Sequence, residues 1–243
     1  TSPAQLARYI DHTHLKADAT YEEIEKLCRE AKQYGFASVC VNSSFVRKCW
    51  DLLTNTEVLP ICVVGFPLGA AASEAKAFET AEAIRNGAKE IDTVIHVGAL
   101  KSGDFEYVQA DIAAVTLVAQ KTSAKVIPVK VIIETAQLSR EEKITACTLA
   151  KAGGAQFVKT CTGFGGGKAT VEDIVLMRSV VGPDFGVKAS GGIKTLEAAL
   201  ELIGAGASRL GTSSGVALVT EKMSLGKGIT DKTPSESKIQ EGY

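Results

Sequence analysis

The chain is 243 residues long, 45% hydrophobic and 23% charged, with 27 lysines and arginines against 28 aspartates and glutamates. That length accommodates a single domain with a full core. The near balance of charge excludes the basic field that nucleic acid or an anionic membrane would require, so an anionic small molecule would need a local site built from backbone amides. The six cysteines (28, 40, 49, 62, 147, 161) have no C-x-x-C spacing and are expected to be reduced thiols. No apolar run has the length of a membrane span, and the first residues lack the basic and apolar regions of a signal peptide. The expectation is a soluble cytoplasmic protein.

Along the chain, short β-branched runs alternate with longer stretches of helical periodicity. Strands are predicted at 9–13, 38–41, 61–65, 90–95, 125–133, 157–160, 186–189 and 209–211. Helices are predicted at 21–34, 44–53, 73–86, 104–121, 139–152, 171–180 and 196–203. Thr20 with Glu23 and Ser139 with Glu142 carry the S/T-x-x-E pattern that caps a helix start. Strand-then-helix alternation demands right-handed crossovers and a parallel sheet covered by helices. Eight units favour a closed single-domain (β/α)8 TIM barrel over residues 1–220, with an open doubly wound sheet as the alternative. Residues 221–243 are rich in Lys, Ser, Gly, Thr and Glu and are expected to form a flexible C-terminal tail.

In a barrel the chemistry gathers where strands end, and the strand ends here are polar. Two lysines stand out, in Gln156-Phe-Val-Lys159-Thr-Cys-Thr-Gly163 and in Phe185-Gly-Val-Lys188-Ala-Ser-Gly-Gly192. Lysine is almost never fully buried without a partner. A desolvated lysine near a second cation loses basicity and becomes a neutral, nucleophilic amine able to form an imine. Alternation puts Asp92 on one face with Glu90 and Val94, and Lys130 on one face with Pro128 and Glu134. If these faces point inward, a carboxylate and three ammonium groups share one cavity and one lysine is pushed toward neutrality. A structural ion cluster filling the barrel centre is the alternative.

Glycine-rich segments follow the last three strands: Thr162-Gly-Phe-Gly-Gly-Gly-Lys168, Ser190-Gly-Gly-Ile193 and Gly211-Thr-Ser-Ser-Gly215. Their amides can form a nest for anionic oxygens, with a helix starting at Thr212 or Ser213 adding its dipole, and this points to a phosphate-bearing ligand. His12 and His14, two apart, could instead chelate zinc, as in metal-dependent barrel hydrolases. Such a site needs further ligands, and His96 is the only other histidine. A serine nucleophile lacks both a G-x-S-x-G motif and a histidine beyond residue 96.

The chain resembles one family, class I deoxyribose-phosphate aldolase. The resemblance runs through Ile10-Asp-His-Thr13, Ser38-Val-Cys-Val-Asn42, Gly65-Phe-Pro-Leu-Gly69, Glu90-Ile-Asp-Thr-Val-Ile95, Gly98-Ala-Leu-Lys-Ser-Gly103 and Lys130-Val-Ile-Ile-Glu-Thr135. It continues through Phe157-Val-Lys-Thr160, Thr162-Gly-Phe164, Val187-Lys-Ala-Ser-Gly-Gly-Ile193 and Arg209-Leu-Gly-Thr-Ser-Ser214. It implies reversible cleavage of 2-deoxy-D-ribose 5-phosphate to acetaldehyde and D-glyceraldehyde 3-phosphate, without metal or cofactor. By the same resemblance Lys159 forms the imine, and Lys188 lowers its pKa and relays protons with Asp92 through a water. Gly163, Gly191, Gly192, Gly211, Ser213 and Ser214 match the phosphate contacts. Asp11, Thr13 and Cys40 line the sugar end, Lys130 orients Asp92 or Lys188, and Tyr243 matches a terminal tyrosine that reaches the site in some members. Barrels of this size often pair, so a homo-oligomer, dimer or tetramer, is expected. Cys161, Thr93, His96 and Thr212 depart from residues common in the family. Cys161 puts a thiol beside the nucleophile, a candidate for oxidation or aldehyde adducts.

Overall fold

A computed structural model describes residues 1–230. After a short helix α1 (Pro3–Ala7), the chain runs as β1 (Ile10–Thr13), α2 (Tyr21–Tyr34), β2 (Ser38–Val41), α3 (Val46–Leu53), β3 (Leu59–Val64), α4 (Ser73–Arg85) and β4 (Glu90–Val94). It continues through α5 (Val97–Lys101), α6 (Phe105–Thr122), β5 (Val129–Ile132), α7 (Arg140–Ala152), β6 (Phe157–Lys159), α8 (Val171–Val181), β7 (Gly186–Ser190), α9 (Leu196–Gly204), β8 (Arg209–Thr212) and α10 (Gly215–Thr230). The eight strands are parallel and close in chain order, with β8 pairing back onto β1. The closed barrel is therefore the fold, and the open doubly wound sheet is set aside.

Alternation along each strand divides the residues into two shells. Val39, Val41, Cys62, Val64, Ile91, Val131, Val158, Val187, Ala189 and Leu210 are buried in one continuous core with helical residues such as Ile24, Leu27, Ile112, Ala146, Ile174 and Leu202. Each such aliphatic side chain contributes about 1.5–3 kcal/mol when fully buried. The interior shell is different. It is apolar around Cys40, Ile61 and Val63 with Leu15 at the mouth, and at Val94 and Ile132 beyond Asp92 and Lys130; between these Asp11, Glu90, Asp92, Lys130, Lys159 and Lys188 are buried.

Both expected capping boxes form, Thr20 with Glu23 and Ser139 with Glu142, and a third at Ser2 with Gln5 starts α1. Several boundaries differ from those expected. The fifth strand begins at Val129 rather than 125, because Pro128 has no N–H to give the ladder and Val126 is exposed. The helix expected from 44 is split into a 3-10 turn over Ser43–Phe45 and α3. Thr212 belongs to β8, and the last helix starts at Gly215 rather than Thr212 or Ser213. That helix runs to Thr230, ten residues past the boundary expected at 220, and packs on α1. Its Leu218 and Val219 are buried despite the polar composition around them. Tyr243 and the possible contribution of the tail at 231–243 lie outside the described residues.

Candidate active site

Five of the parallel strand pairings bring the interior polar residues into register. Asp92 is level with Lys130, Lys159 with Lys188, Lys188 with Arg209, and Asp11 with both Ser38 and Gly211. Asp92 is fully buried at the centre. Its Oδ1 accepts from Lys130 Nζ at 2.9 Å, and its Oδ2 accepts from Lys159 Nζ at 2.9 Å and Lys188 Nζ at 2.7 Å. Lys188 Nζ also faces Asp11 Oδ2 at 2.6 Å. Asp11 Oδ1 accepts from Ser38 Oγ at 2.6 Å and from Arg209 at 2.7 Å. Below these, Glu90 pairs with Lys130 at 2.5 Å and with Arg209 at 3.1 Å.

These partners set the charge states. Burial works against the ionised form of Asp92, yet Lys130, Lys159 and Lys188 outweigh it and hold the carboxyl well below its usual range. The same contest leaves Asp11 depressed, by Lys188 and Arg209. Burial lowers Lys188, but Asp11 and Asp92 more than compensate and keep it cationic; Lys130 is likewise raised by Asp92 and Glu90. Lys159 goes the other way. Burial lowers it, Asp92 alone opposes at close range, and Lys188 adds repulsion, so its amine titrates below the usual lysine range. Of the three interior lysines, it is Lys159 that is pushed toward neutrality.

Lys159 is also the one of the three that opens to solvent. It forms the floor of a cavity of about 310 Å³ at the strand C-termini. Thr13, Gly163, Gly191, Gly192, Gly211 and Ser213 line that cavity with it. Asp11, Cys40, Asp92, Lys130 and Lys188 sit beneath the floor without exposed surface, and Ser214 is at the start of α10, where its N–H donates to Thr212 Oγ1 at 2.9 Å. The cavity wall also includes Lys16, Lys194, Leu15, Thr162 and Phe164. Thr162 and Phe164 fall in the loop that the sequence marks as an anion nest, whereas Lys16, Lys194 and Leu15 are not singled out for the site. Lys16 and Lys194 each follow a strand end by a few residues, which is the signal that could have found them.

Hydrogen bonds between neighbouring loops hold this mouth in shape. Thr160 Oγ1 donates to the Ser190 carbonyl at 2.8 Å and accepts from Ser190 N–H at 2.9 Å, while Ser190 Oγ donates to the Cys161 carbonyl at 2.6 Å. Thr162 Oγ1 donates to Glu134 at 2.5 Å, and Thr212 Oγ1 donates to the Ile193 carbonyl at 2.7 Å. Gly191 and Gly192 take φ of 96° and 72°, which only glycine adopts cheaply, and turn successive amides along the loop. Gly211 is needed for space: a Cβ there would lie 3.0 Å from both Lys188 Cε and Ser190 Cβ.

His12 and His96 take parts outside the cavity, while His14 lines its mouth. His12 is buried against Phe36, its Nε2 2.7 Å from Glu30 of α2, and His14 Nε2 is 3.3 Å from Glu23 of the same helix. His96 caps α5, its Nδ1 accepting from Ala99 N–H at 3.1 Å. Among the described residues no group of three or more His, Cys, Asp or Glu is arranged to hold a metal ion. Cys161 is fully buried, with Thr135 Oγ1 at 3.4 Å, and burial pushes its thiol up. A buried, protonated thiol is a poor nucleophile, so the reactivity raised by its place in the sequence is not what its surroundings favour.

A closed parallel barrel with a titratable cluster and glycine loops at its strand C-termini has the plan of an α/β-barrel enzyme, and an amine driven toward neutrality at a cavity floor suits covalent carbonyl chemistry. Comparison with known proteins makes the class particular. The chain belongs to the DeoC/LacD family of aldolases, whose sequence profile matches residues 6–220. It is 56% identical over 223 residues to the deoxyribose-phosphate aldolase of Brevibacillus brevis, covering 92% of this chain and 99% of that one. It is 58% identical over 217 residues to that of Thermococcus kodakarensis, covering 88% and 96%. Among solved structures, the tetrameric deoxyribose phosphate aldolase from Aeropyrum pernix matches with a TM-score of 0.85 at 33% identity, covering 92% of this chain and 93% of that one.

Proposed function

We propose that this lyase is a Schiff-base aldolase that reversibly cleaves 2-deoxy-D-ribose 5-phosphate into acetaldehyde and D-glyceraldehyde 3-phosphate, with Lys159 as its nucleophile. The observation that carries the assignment is the placing of Lys159: the one interior lysine open to the cavity is also the one with a lowered pKa. Family membership and the names of relatives matching nearly end to end support the substrate.

In the cleavage direction the neutral Lys159 amine adds to the substrate aldehyde, and loss of water gives a protonated imine. That imine is the electron sink. A base takes the proton of the hydroxyl on the third carbon, and the bond between the second and third carbons breaks. Glyceraldehyde 3-phosphate leaves with its new carbonyl, and the electron pair remains as an enamine on Lys159. Protonation of the enamine carbon and hydrolysis of the imine release acetaldehyde. Lys188, held charged by Asp11 and Asp92, repels a proton on Lys159 and is the acid of a Lys188–Asp92 relay. The Lys159–Asp92 hydrogen bond offers the amine a direct path to a carboxylate. Lys130 orients Asp92 through its other oxygen.

The phosphate is assigned to the amides of Gly163, Gly191, Gly192 and Gly211 and to Ser213 and Ser214, with Lys16 and Lys194 at the rim adding positive field. Thr13, over Asp11 and Cys40, faces the sugar end. A homo-oligomer, dimer or tetramer, is part of the proposal, supported by the tetramer of the Aeropyrum pernix relative and tested by light scattering. Cytoplasmic residence is supported by six buried free thiols. A coupled assay for glyceraldehyde 3-phosphate tests the reaction. Release from deoxyribose 5-phosphate is expected in chelator-treated enzyme, and turnover confined to ketose phosphates would contradict it.

A further inference from the structure

Six of the ionised side chains in the barrel close into a ring. Arg209 contacts Asp11 at 2.7 Å, and Asp11 contacts Lys188 at 2.6 Å. Lys188 contacts Asp92 at 2.7 Å, and Asp92 contacts Lys130 at 2.9 Å. Lys130 contacts Glu90 at 2.5 Å, and Glu90 returns to Arg209 at 3.1 Å. Three acids alternate with three bases, so the ring is neutral. Lys159 stands outside it, joined among the described residues only through Asp92 Oδ2 at 2.9 Å. Every carboxylate in the cluster already has two ring cations, so a proton on Lys159 has no counter-charge of its own. In a low-dielectric interior that excess charge is the one most readily shed.

Glu90 and Arg209 form the far side of the ring and do not line the cavity. The ring of Phe157 lies beside Lys130 and Arg209, 5.6 Å from Lys130 Nζ and 5.8 Å from Arg209 Cζ, in space that Gly186 leaves open. Resting on the reading of Lys159 as the imine-forming residue, we propose that Glu90 and Arg209 are positioning residues: by closing the ring they keep its charge balanced and leave Lys159 as the one uncompensated base. Other groups around Lys159 do not alter the count. Asp92 of β4 and Lys188 of β7 face it directly, with Asp11 of β1 and Lys130 of β5 behind them, all in the ring. Cys40 of β2 remains a neutral thiol because burial pushes it up. The interior residues Ile61 and Val63 of β3 and Gly211 of β8 do not titrate. His14, Lys16 and Lys194 lie at the cavity mouth, outside the ring.

The ring makes a prediction about sign. Glu90→Gln removes an anion, leaves the ring positive and should move the titration of Lys159 to lower pH. Arg209→Gln removes a cation, leaves the ring negative and should move it to higher pH. Each shift should be about one pH unit, the size of one unit charge acting across a partly screened interior. The double variant is neutral again and should return close to the parent midpoint. The experiment is the pH dependence of the rate at which borohydride traps acetaldehyde on Lys159, measured for the parent and these variants. Arg209→Lys keeps the charge while changing the shape, and should lower the rate without moving the midpoint.

Opposite shifts that cancel in the double variant establish the charge count. Shifts of the same sign, or slower trapping at an unmoved midpoint in both single variants, would mean that Glu90 and Arg209 only fill space, and would overturn the proposal. If Arg209→Gln does not fold, Glu90→Gln and Arg209→Lys decide it: a downward shift in the first with none in the second supports the ring, and any other pair of results contradicts it. A parent enzyme that traps no acetaldehyde at all would remove the Lys159 assignment, and the ring's proposed part with it.

Discussion

The proton on Lys159 is contested between two neighbours. Asp92 holds it at 2.9 Å, while burial and the fixed charge of Lys188 expel it, and the balance falls below the usual lysine range. The amine is neutral above its pKa and protonated below it, so the acid limb of kcat/KM should follow that titration in the free enzyme. Removing Lys188 removes a repelling cation, and the Lys159 pKa should climb. Lys188→Leu is therefore expected to slow turnover at neutral pH by at least about tenfold, with partial recovery as pH rises. An unchanged pH profile would show that Lys188 does not set the nucleophile's basicity. Lys159→Leu should abolish turnover at every pH while circular dichroism stays that of the parent. Cys161, buried with its thiol pushed up, should resist alkylation in the folded enzyme. Rapid labelling of its peptide under native conditions would show that the loop after β6 opens more readily than its hydrogen bonds suggest.

Between elements, the packing of β7 against β8 fixes where Lys188 can lie. Gly211 sits level with Asp11 on one side and Ser190 on the other. A methyl at Gly211 would meet Lys188 Cε and Ser190 Cβ at 3.0 Å, with nowhere to go but into the ring of charges. Gly211→Ala is expected to cost about 1–3 kcal/mol of stability by overpacking and to reduce kcat/KM by about 100-fold through displacement of Lys188. Unfolding midpoints and steady-state kinetics check the two parts separately. Much of this arrangement is legible in the sequence. The alternation that puts Asp92, Lys130, Lys159 and Lys188 inward, and the glycines after the last three strands, depend only on period and position. The partnership of Glu90 with Arg209 is not legible, because residues 119 apart in the chain meet only once the barrel closes and its register is known. The start of β5 is not legible either, because Val126 and Ile127 continue a β-branched run whose ladder Pro128 interrupts. The last helix is not legible because its glycines and charges mask the buried aliphatic residues Leu218 and Val219 that help dock it.

As a whole, the molecule places a charged interior inside an apolar shell, and this ties its stability to pH. Asp11 and Asp92 have folded-state pKa values below those of the unfolded chain. Their contribution is present above the unfolded carboxylate value near about 4 and is lost as pH falls below it. Lys130 and Lys188 are shifted upward, so their contribution is present at neutral pH and lost only in strong alkali, above about 10. Urea midpoints should thus decline gently as pH falls below about 6.5, where the unfolded chain protonates His12 more readily than the fold that buries it, and drop steeply below about 4. A steep loss already at pH 6 would point to a histidine such as buried His12 rather than to the carboxylates.

The charged interior exists, on this account, to keep one amine free to bond to an aldehyde. The most direct test is reduction with borohydride in the presence of acetaldehyde, followed by peptide mapping. A single ethyl group is expected on the peptide containing Lys159, at its side-chain nitrogen, with loss of activity in proportion. Unmodified protein, or an ethyl group on Lys188 or Lys130, would contradict the role of Lys159.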